Sequence, residues 1–73
     1  MEELEIKLRK NIADKLRMYR AKERLSQEAL AEKSDLTQTY IYKVENEMAN
    51  PSIYVMVKIA KALNVTVNDL ITE

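Results

Sequence analysis

Apolar residues recur at helical spacing in the first third of the chain. Successive members of this set lie four, four and three residues apart: Leu8, Ile12, Leu16 and Tyr19. This is the spacing of one face of an α-helix, and it predicts a first helix from about Glu5 to about Lys22. Leu4 and Ile6 fit this face less well, so residues 1–8 are expected to form a frayed extension of that helix.

Two hydroxyl residues predict where the next two helices begin. Ser26 and Thr37 can each accept a hydrogen bond from the free N–H groups of the turn that follows. The second helix is predicted at about residues 27–33 and the third at about residues 38–46. Their expected buried residues are Leu30 and Ala31 in the second helix, and Ile41 and Val44 in the third. Two short helices joined by a tight turn can direct both helix starts towards a DNA backbone and groove.

The second half of the chain has the same organisation. Pro51 disfavours helix in the residue before it, so residues 47–51 are predicted to be a connection. Ser52 then caps a fourth helix at about Ile53–Leu63, and Thr66 caps a short last helix. The apolar residues of these helices are Ile53, Met56, Ile59, Ala60 and Leu63, followed by Val67, Leu70 and Ile71. Five short helices without a strand signal predict one all-α domain over residues 1–73.

The chain contains no glycine. Helices commonly end in a residue with positive φ, a conformation that glycine adopts without steric cost. Asparagine tolerates it better than most residues, so Asn46 and Asn64 are expected at such positions. Ser34 and Asp35, in the turn between the second and third helices, are candidates for backbone strain.

The composition excludes most catalytic chemistry. The chain is 47% hydrophobic and 33% charged, as in a compact soluble domain, and it has neither cysteine nor histidine. Disulfides, thiolate chemistry and nearly all zinc sites and general bases are thereby excluded. No clustered carboxylate loop suits magnesium or calcium. We therefore expect no enzyme activity, no metal, no cofactor and no small-molecule ligand.

The net charge limits how the chain could bind nucleic acid. Twelve basic and twelve acidic residues cancel, whereas many nucleic-acid-binding proteins are basic. The first 24 residues nevertheless hold eight Lys or Arg against five Asp or Glu, with Arg17, Lys22 and Arg24 forming a basic cluster at the end of the first helix. Phosphate contacts need only a local positive face, so neutrality argues against indiscriminate binding more than against specific binding.

Two further features concern location and assembly. No apolar run approaches the roughly 20 residues that span a bilayer, and the acidic N-terminus lacks the apolar core of a secretory signal; a cytoplasmic protein is expected. Residues 53–57 are apolar on all sides of the fourth helix, whereas a monomer should turn one face of that helix to water. Either a partner covers this helix or a monomer exposes an apolar surface.

Six short segments together resemble one family. They are LSQE at residues 25–28, LAEK at 30–33, YI at 40–41, VE at 44–45, NPS at 50–52 and KIAKAL at 58–63. In this order and at this spacing, they resemble the repressor-like (lambda-repressor or XRE-type) helix-turn-helix family of phage and bacterial regulators, over about residues 12–71. The sequences KSDLT at residues 33–37 and TYI at 39–41 are also similar to those of restriction–modification controller proteins.

The resemblance implies a role for each of several residues. The third helix would enter the major groove of double-stranded DNA, with base contacts from Gln38, Thr39, Tyr42 and Lys43. Phosphate contacts would come from Gln27, Tyr40, Asn46 and Arg24, with Gln27 also supporting Gln38. A structural ion pair between Arg20 and Glu45 would orient the third helix. A homodimer would form through Tyr54, Val55, Val57, Val67 and Ile71.

The chain departs from the family at four positions that usually hold glycine: Arg24, Asp35, Glu47 and Asn64. The charge of Glu47 would repel a nearby DNA backbone, which puts the usual phosphate contact of that loop in doubt. The function implied is a sequence-specific transcriptional regulator, a repressor or controller protein, that binds a palindromic operator as a homodimer. The alternative is a protein-interaction module or an antitoxin that uses the same fold with little DNA specificity.

Overall fold

A computed structural model describes residues 2–72 as five helices joined by short turns. The helices are α1 (Glu3–Lys22), α2 (Gln27–Ser34), α3 (Gln38–Glu45), α4 (Ile53–Leu63) and α5 (Val67–Ile71). No strand occurs within residues 2–72. The predicted all-α fold is confirmed, and the predicted helix boundaries are correct to within about two residues.

Four helices begin at hydroxyl side chains. Ser26, Thr37, Ser52 and Thr66 each accept a hydrogen bond from the backbone N–H three residues further on, at 3.0, 3.1, 3.2 and 3.1 Å. At α5 the Asp69 carboxylate also accepts from the Thr66 N–H at 2.9 Å, which completes a capping box and lowers the pKa of Asp69. The predicted helix starts are thus confirmed. Each cap satisfies an N–H group that has no partner inside the helix.

The core lies where all five helices meet. Its largest fully buried apolar side chains come from every helix: Leu16, Leu30, Ile41, Val44, Ile59, Leu63 and Leu70. Helix α2 packs against α3 and α4, whereas α1 packs against α3 and α5. The α2–α3 pair is therefore held by α4 at α2 and by α1 at α3.

Two residues expected on buried faces are exposed. Leu8 is 36% exposed, because the first turns of α1 extend beyond the core and Ile12 is the first residue of this helix to be buried. Ile53 is 69% exposed, because it opens α4 before that helix reaches the core at Met56. Helical periodicity identifies a face correctly, but it does not show how far the packing partners extend along it.

Four residues adopt a left-handed backbone conformation without being glycine. Arg24, Asp35, Glu47 and Asn64 have φ angles of 56°, 58°, 61° and 58°. These are the four positions at which the chain departs from the family's glycines. The prediction for Asn64 is confirmed, whereas that for Asn46 is wrong: its φ is −109°, and the left-handed residue is the following Glu47.

The same pair of hydrogen bonds closes each of these helix ends. After α3, the Glu47 N–H donates to the Val44 carbonyl at 3.2 Å, and the Met48 N–H donates to the Lys43 carbonyl at 2.8 Å. Equivalent pairs follow α1, α2 and α4. This is the Schellman arrangement, which requires one residue at positive φ. Since a side chain costs about 1–2 kcal/mol in that conformation, and Asn and Asp tolerate it better than other residues, the turns at Arg24 and Glu47 hold the most strain that glycine would remove.

No helix within residues 2–72 is both long enough and apolar enough to cross a membrane.

Replacing Glu47 tests this strain. We expect Glu47→Gly to have a free energy of unfolding about 1 kcal/mol higher than Glu47→Ala, because only glycine relieves the left-handed conformation. Both variants remove the same charge, so the alanine variant is the matched control. Urea denaturation measures the difference, and equal stabilities would show that the turn is not strained.

Candidate nucleic-acid interface

Helix α3 has one buried side and one exposed polar side. Ile41 and Val44 are buried in the core. The four side chains assigned to base contacts, Gln38, Thr39, Tyr42 and Lys43, are all exposed. At 100° per residue they span about 140° of the helix surface and lie away from the buried pair. The structure therefore brings these four residues together on one accessible surface.

The residues assigned to phosphate contacts are in different surroundings. Arg24 is exposed, at the turn between α1 and α2. Tyr40 is half-buried against the core, and this burial raises the pKa of its phenol. Asn46 is exposed, but its Nδ2 donates to the Tyr42 carbonyl at 2.8 Å. Gln27 is half-buried, and its Nε2 donates to Glu45 Oε1 at 3.2 Å. The structure thus gives the Gln27 amide a partner on α3 other than the expected Gln38.

Glu45, the last residue of α3, is buried with its charge paired. The residue is only 2% exposed. Arg20 Nε donates to Oε2 at 2.7 Å, and Arg20 Nη2 donates to Oε1 at 3.0 Å, in a two-point arrangement. Arg20 Nη1 also donates to the Leu25 carbonyl at 2.9 Å. Such paired geometry is the strongest form of arginine–carboxylate contact.

The Glu45 carboxylate therefore joins three helices. It accepts from Arg20 on α1 and from Gln27 on α2, and it belongs to α3 itself. Gln27 is the first residue of α2, so the bond reaches from the start of one helix to the end of the other. These contacts fix the orientation of the exposed side of α3 relative to both neighbouring helices.

A second group of charges lies near the end of α3. Lys10 Nζ donates to Asp14 Oδ2 at 2.8 Å, and Arg17 Nη2 donates to Asp14 Oδ1 at 2.7 Å. These contacts lower the pKa of Asp14, while Asp14 and then Glu47 raise the pKa of Lys10. Arg17 Nη1 also donates to the main-chain carbonyl of Glu45. Arg17, predicted to belong to a basic cluster at the end of the first helix, thus also contacts the backbone of α3, and the sequence holds no signal for this contact.

The residues assigned to a dimer interface are partly accessible. Tyr54 is 70% exposed, and Val57 and Ile71 are also exposed. Val55 and Val67 are half-buried and pack against the core. The Lys58 ammonium lies 5.1 Å from the centre of the Tyr54 ring. The outer side of α4 therefore presents apolar surface, with Ile53 as a further exposed member that the prediction had placed inside.

Two short capped helices, held by a buried ion pair and exposing one polar side of the second helix, define a helix-turn-helix protein. The sequence model of the helix-turn-helix family matches residues 16–70. The chain belongs to this family, and the resemblance stated from the sequence is confirmed. It is a DNA-binding transcriptional regulator.

The chain is also similar to individual proteins of this family. The chain is 44% identical over 62 residues to the control protein C.SmaI of Serratia marcescens, a match that covers 85% of this chain and 74% of that protein. Two proteins of known structure are each 34% identical in sequence to this chain. The hypothetical transcription factor NHTF from Neisseria has a TM-score of 0.87, covering 89% of this chain and 75% of that one. The restriction–modification controller protein C.AhdI from Aeromonas hydrophila has a TM-score of 0.82, covering 85% and 94%.

Removing one partner of the buried ion pair should be costly. We expect Arg20→Ala to lower the free energy of unfolding by about 3–5 kcal/mol, because it leaves the Glu45 carboxylate buried without its counter-charge. The double variant Arg20→Met/Glu45→Met should recover part of this loss, since no unpaired charge remains. Urea denaturation gives both values.

The matched control is Lys7→Ala, which removes a cation from the same helix. Lys7 pairs with Glu3 at 3.5 Å, and both side chains are exposed. Such a pair contributes about 0–1 kcal/mol. Losses of similar size for Arg20→Ala and Lys7→Ala would contradict a structural role for Arg20.

Proposed function

We propose that this chain is a controller-type transcriptional regulator that binds a palindromic operator as a homodimer, with α3 in the major groove. The observation that carries the proposal is the exposed polar side of α3. The buried Glu45 carboxylate, which is bound by Arg20 and Gln27, fixes the orientation of this side. The match to C.SmaI and the likeness to C.AhdI support the controller role. In this role the protein acts in the cytoplasm, where bacterial DNA is accessible.

The four exposed residues of α3 suit the edges of base pairs. The Gln38 amide can donate to N7 of adenine and accept from the N6 amino group of the same base, a two-bond contact that other bases do not match. The Thr39 methyl group can contact the methyl group of thymine. Lys43 can donate to guanine or to a phosphate, and Tyr42 completes the surface with a hydroxyl on an exposed ring.

Phosphate contacts would fix the position of α3 along the DNA. Gln27 uses one amide hydrogen for Glu45 and keeps a second hydrogen for a phosphate oxygen. Asn46, which donates to the Tyr42 carbonyl, likewise keeps one hydrogen. Arg24 and the Tyr40 hydroxyl would add contacts on either side. These contacts position the protein but carry no sequence information.

The exposed apolar side of α4 supports the homodimer. Tyr54 and Val57 on α4 are exposed, and so is Ile71 on α5. Val55 on α4 and Val67 on α5 are half-buried. A twofold dimer through these residues would place two α3 helices about one turn of DNA apart, so each operator would contain two related half-sites.

Selection of bound sequences from a random DNA pool at physiological salt tests the proposal. Enrichment of a palindrome is the expected result, and it also supplies the operator for the measurements below. If protein shown to be folded enriches no sequence, the proposal is wrong, and the chain would instead be a protein-interaction module built on this fold.

Gln38 should contribute directly to sequence discrimination. We expect Gln38→Ala to weaken operator binding by about 1–3 kcal/mol and to relax selectivity at one base position. Fluorescence anisotropy with the selected operator and with single-base variants measures both effects. A folded Gln38→Ala protein that binds its operator unchanged would show that α3 is oriented differently on DNA.

A charge placed in the proposed dimer interface should separate the subunits. We expect Tyr54→Glu to shift the protein to monomer in sedimentation velocity and to weaken operator binding, since two carboxylates would be buried facing each other. Met18→Glu is the control, because Met18 is an exposed apolar residue on α1. A Tyr54→Glu protein that remains dimeric would rule out this interface.

A further inference from the structure

The last carbonyl groups of α3 are satisfied in two different ways. A helix leaves its final four carbonyls without partners inside the helix. The Tyr42 and Lys43 carbonyls accept from the Asn46 N–H at 3.0 and 3.3 Å, and the Val44 carbonyl accepts from the Glu47 N–H at 3.2 Å. The Glu45 carbonyl instead accepts from Arg17, which lies 28 residues earlier, on α1. One end of α3 is thus tied to a different helix through its backbone.

The guanidinium of Arg17 is oriented for this contact. Its Nη2 donates to Asp14 Oδ1 at 2.7 Å while its Nη1 donates to the Glu45 carbonyl. The Asp14 carboxylate is itself held on its other oxygen by Lys10 at 2.8 Å. The planar guanidinium thus bridges a carboxylate and a carbonyl with two of its donors, and 45% of the Arg17 side chain is exposed. Its positive charge also lies at the negative end of the α3 dipole.

We propose that Arg17 is a second positioning residue of α3, which holds the carboxyl end of that helix by its backbone while Arg20 holds it by the Glu45 side chain. The inference rests on the proposed function of α3 as the DNA-reading helix. Arg17 and Arg20 lie three residues apart and therefore on one side of α1. The Arg17 contact adds a backbone attachment at the residue whose side chain Arg20 already holds.

A positioning role and a phosphate contact would have different effects on DNA binding. Two of the five N–H groups of Arg17 donate within the protein, one of them to Asp14, a carboxylate that Lys10 also contacts. A phosphate contact would contribute equally to every DNA sequence, whereas a residue that positions α3 contributes only where bases are read. Arg17 should therefore affect which sequence is bound more than how strongly DNA in general is bound.

The Arg17→Gln variant tests the role, with Lys7→Gln as a control for the loss of one positive charge from α1. We expect Arg17→Gln to bind the selected operator about tenfold more weakly, and random DNA less than about twofold more weakly. Its dependence of affinity on salt should match that of Lys7→Gln. If operator and random DNA weaken equally, and the log–log salt slope falls by about 0.9 relative to that control, Arg17 is a phosphate contact and the proposal is wrong.

Arg17→Lys keeps the charge but loses the planar fork. The quantity to compare is the affinity for the selected operator divided by the affinity for random DNA. If Arg17 positions α3, this ratio for Arg17→Lys should be closer to that of Arg17→Gln than to that of the parent. Recovery of the full ratio by lysine would show that charge alone is needed and would overturn the proposal.

Hydrogen exchange in the free protein supplies a measurement that does not depend on DNA. Arg17→Gln should exchange the amides of residues 46–48 several-fold faster than the parent, with little change in the amides of α4 and a melting transition that remains cooperative. Unchanged exchange at residues 46–48 would overturn the positioning role. If the random pool yields no operator, the proposed function fails, and the exchange result still decides whether Arg17 anchors α3.

Discussion

The buried carboxylate of Glu45 is the constraint on which the rest of the interface depends. Removing a carboxylate from water costs several kcal/mol unless its oxygens are fully paired. Here both oxygens accept from Arg20, and one also accepts from Gln27. Any displacement of α3 would break these bonds and leave a charge buried without partners. The three helices that meet at Glu45 are therefore restricted to one relative arrangement.

This restriction matters because α3 has little stability of its own. It has eight residues, whereas isolated helices shorter than about 12–15 residues are marginal in water. Ile41 and Val44 attach it to the core, but apolar packing is non-directional and tolerates small rotations. Hydrogen bonds to the Glu45 carboxylate have defined directions. The core thus supplies most of the stability, and the polar contacts supply the orientation that recognition of bases requires.

Local chemistry made much of this fold predictable. The helix starts follow from Ser26, Thr37, Ser52 and Thr66, because a cap acts within three residues of itself. Leu8 and Ile53 were placed wrongly, because their exposure depends on where other helices end. In the interface, the exposed positions of α3 follow from helical spacing once Ile41 and Val44 are assigned to the core. The Arg20–Glu45 pair was expected only through the family resemblance, and the contact of Arg17 with a carbonyl 28 residues away has no local signature.

The absence of glycine has a consequence for the unfolded chain as well as for the folded one. Four turns carry left-handed residues with side chains, which raises the enthalpy of the folded protein by local crowding. The same side chains reduce the number of backbone conformations open to the unfolded chain, and so reduce the entropy that folding must remove. The enthalpy of crowding is nearly independent of temperature, whereas the entropy difference enters the free energy of folding multiplied by temperature. Turns of this kind therefore favour the folded state increasingly as the temperature rises.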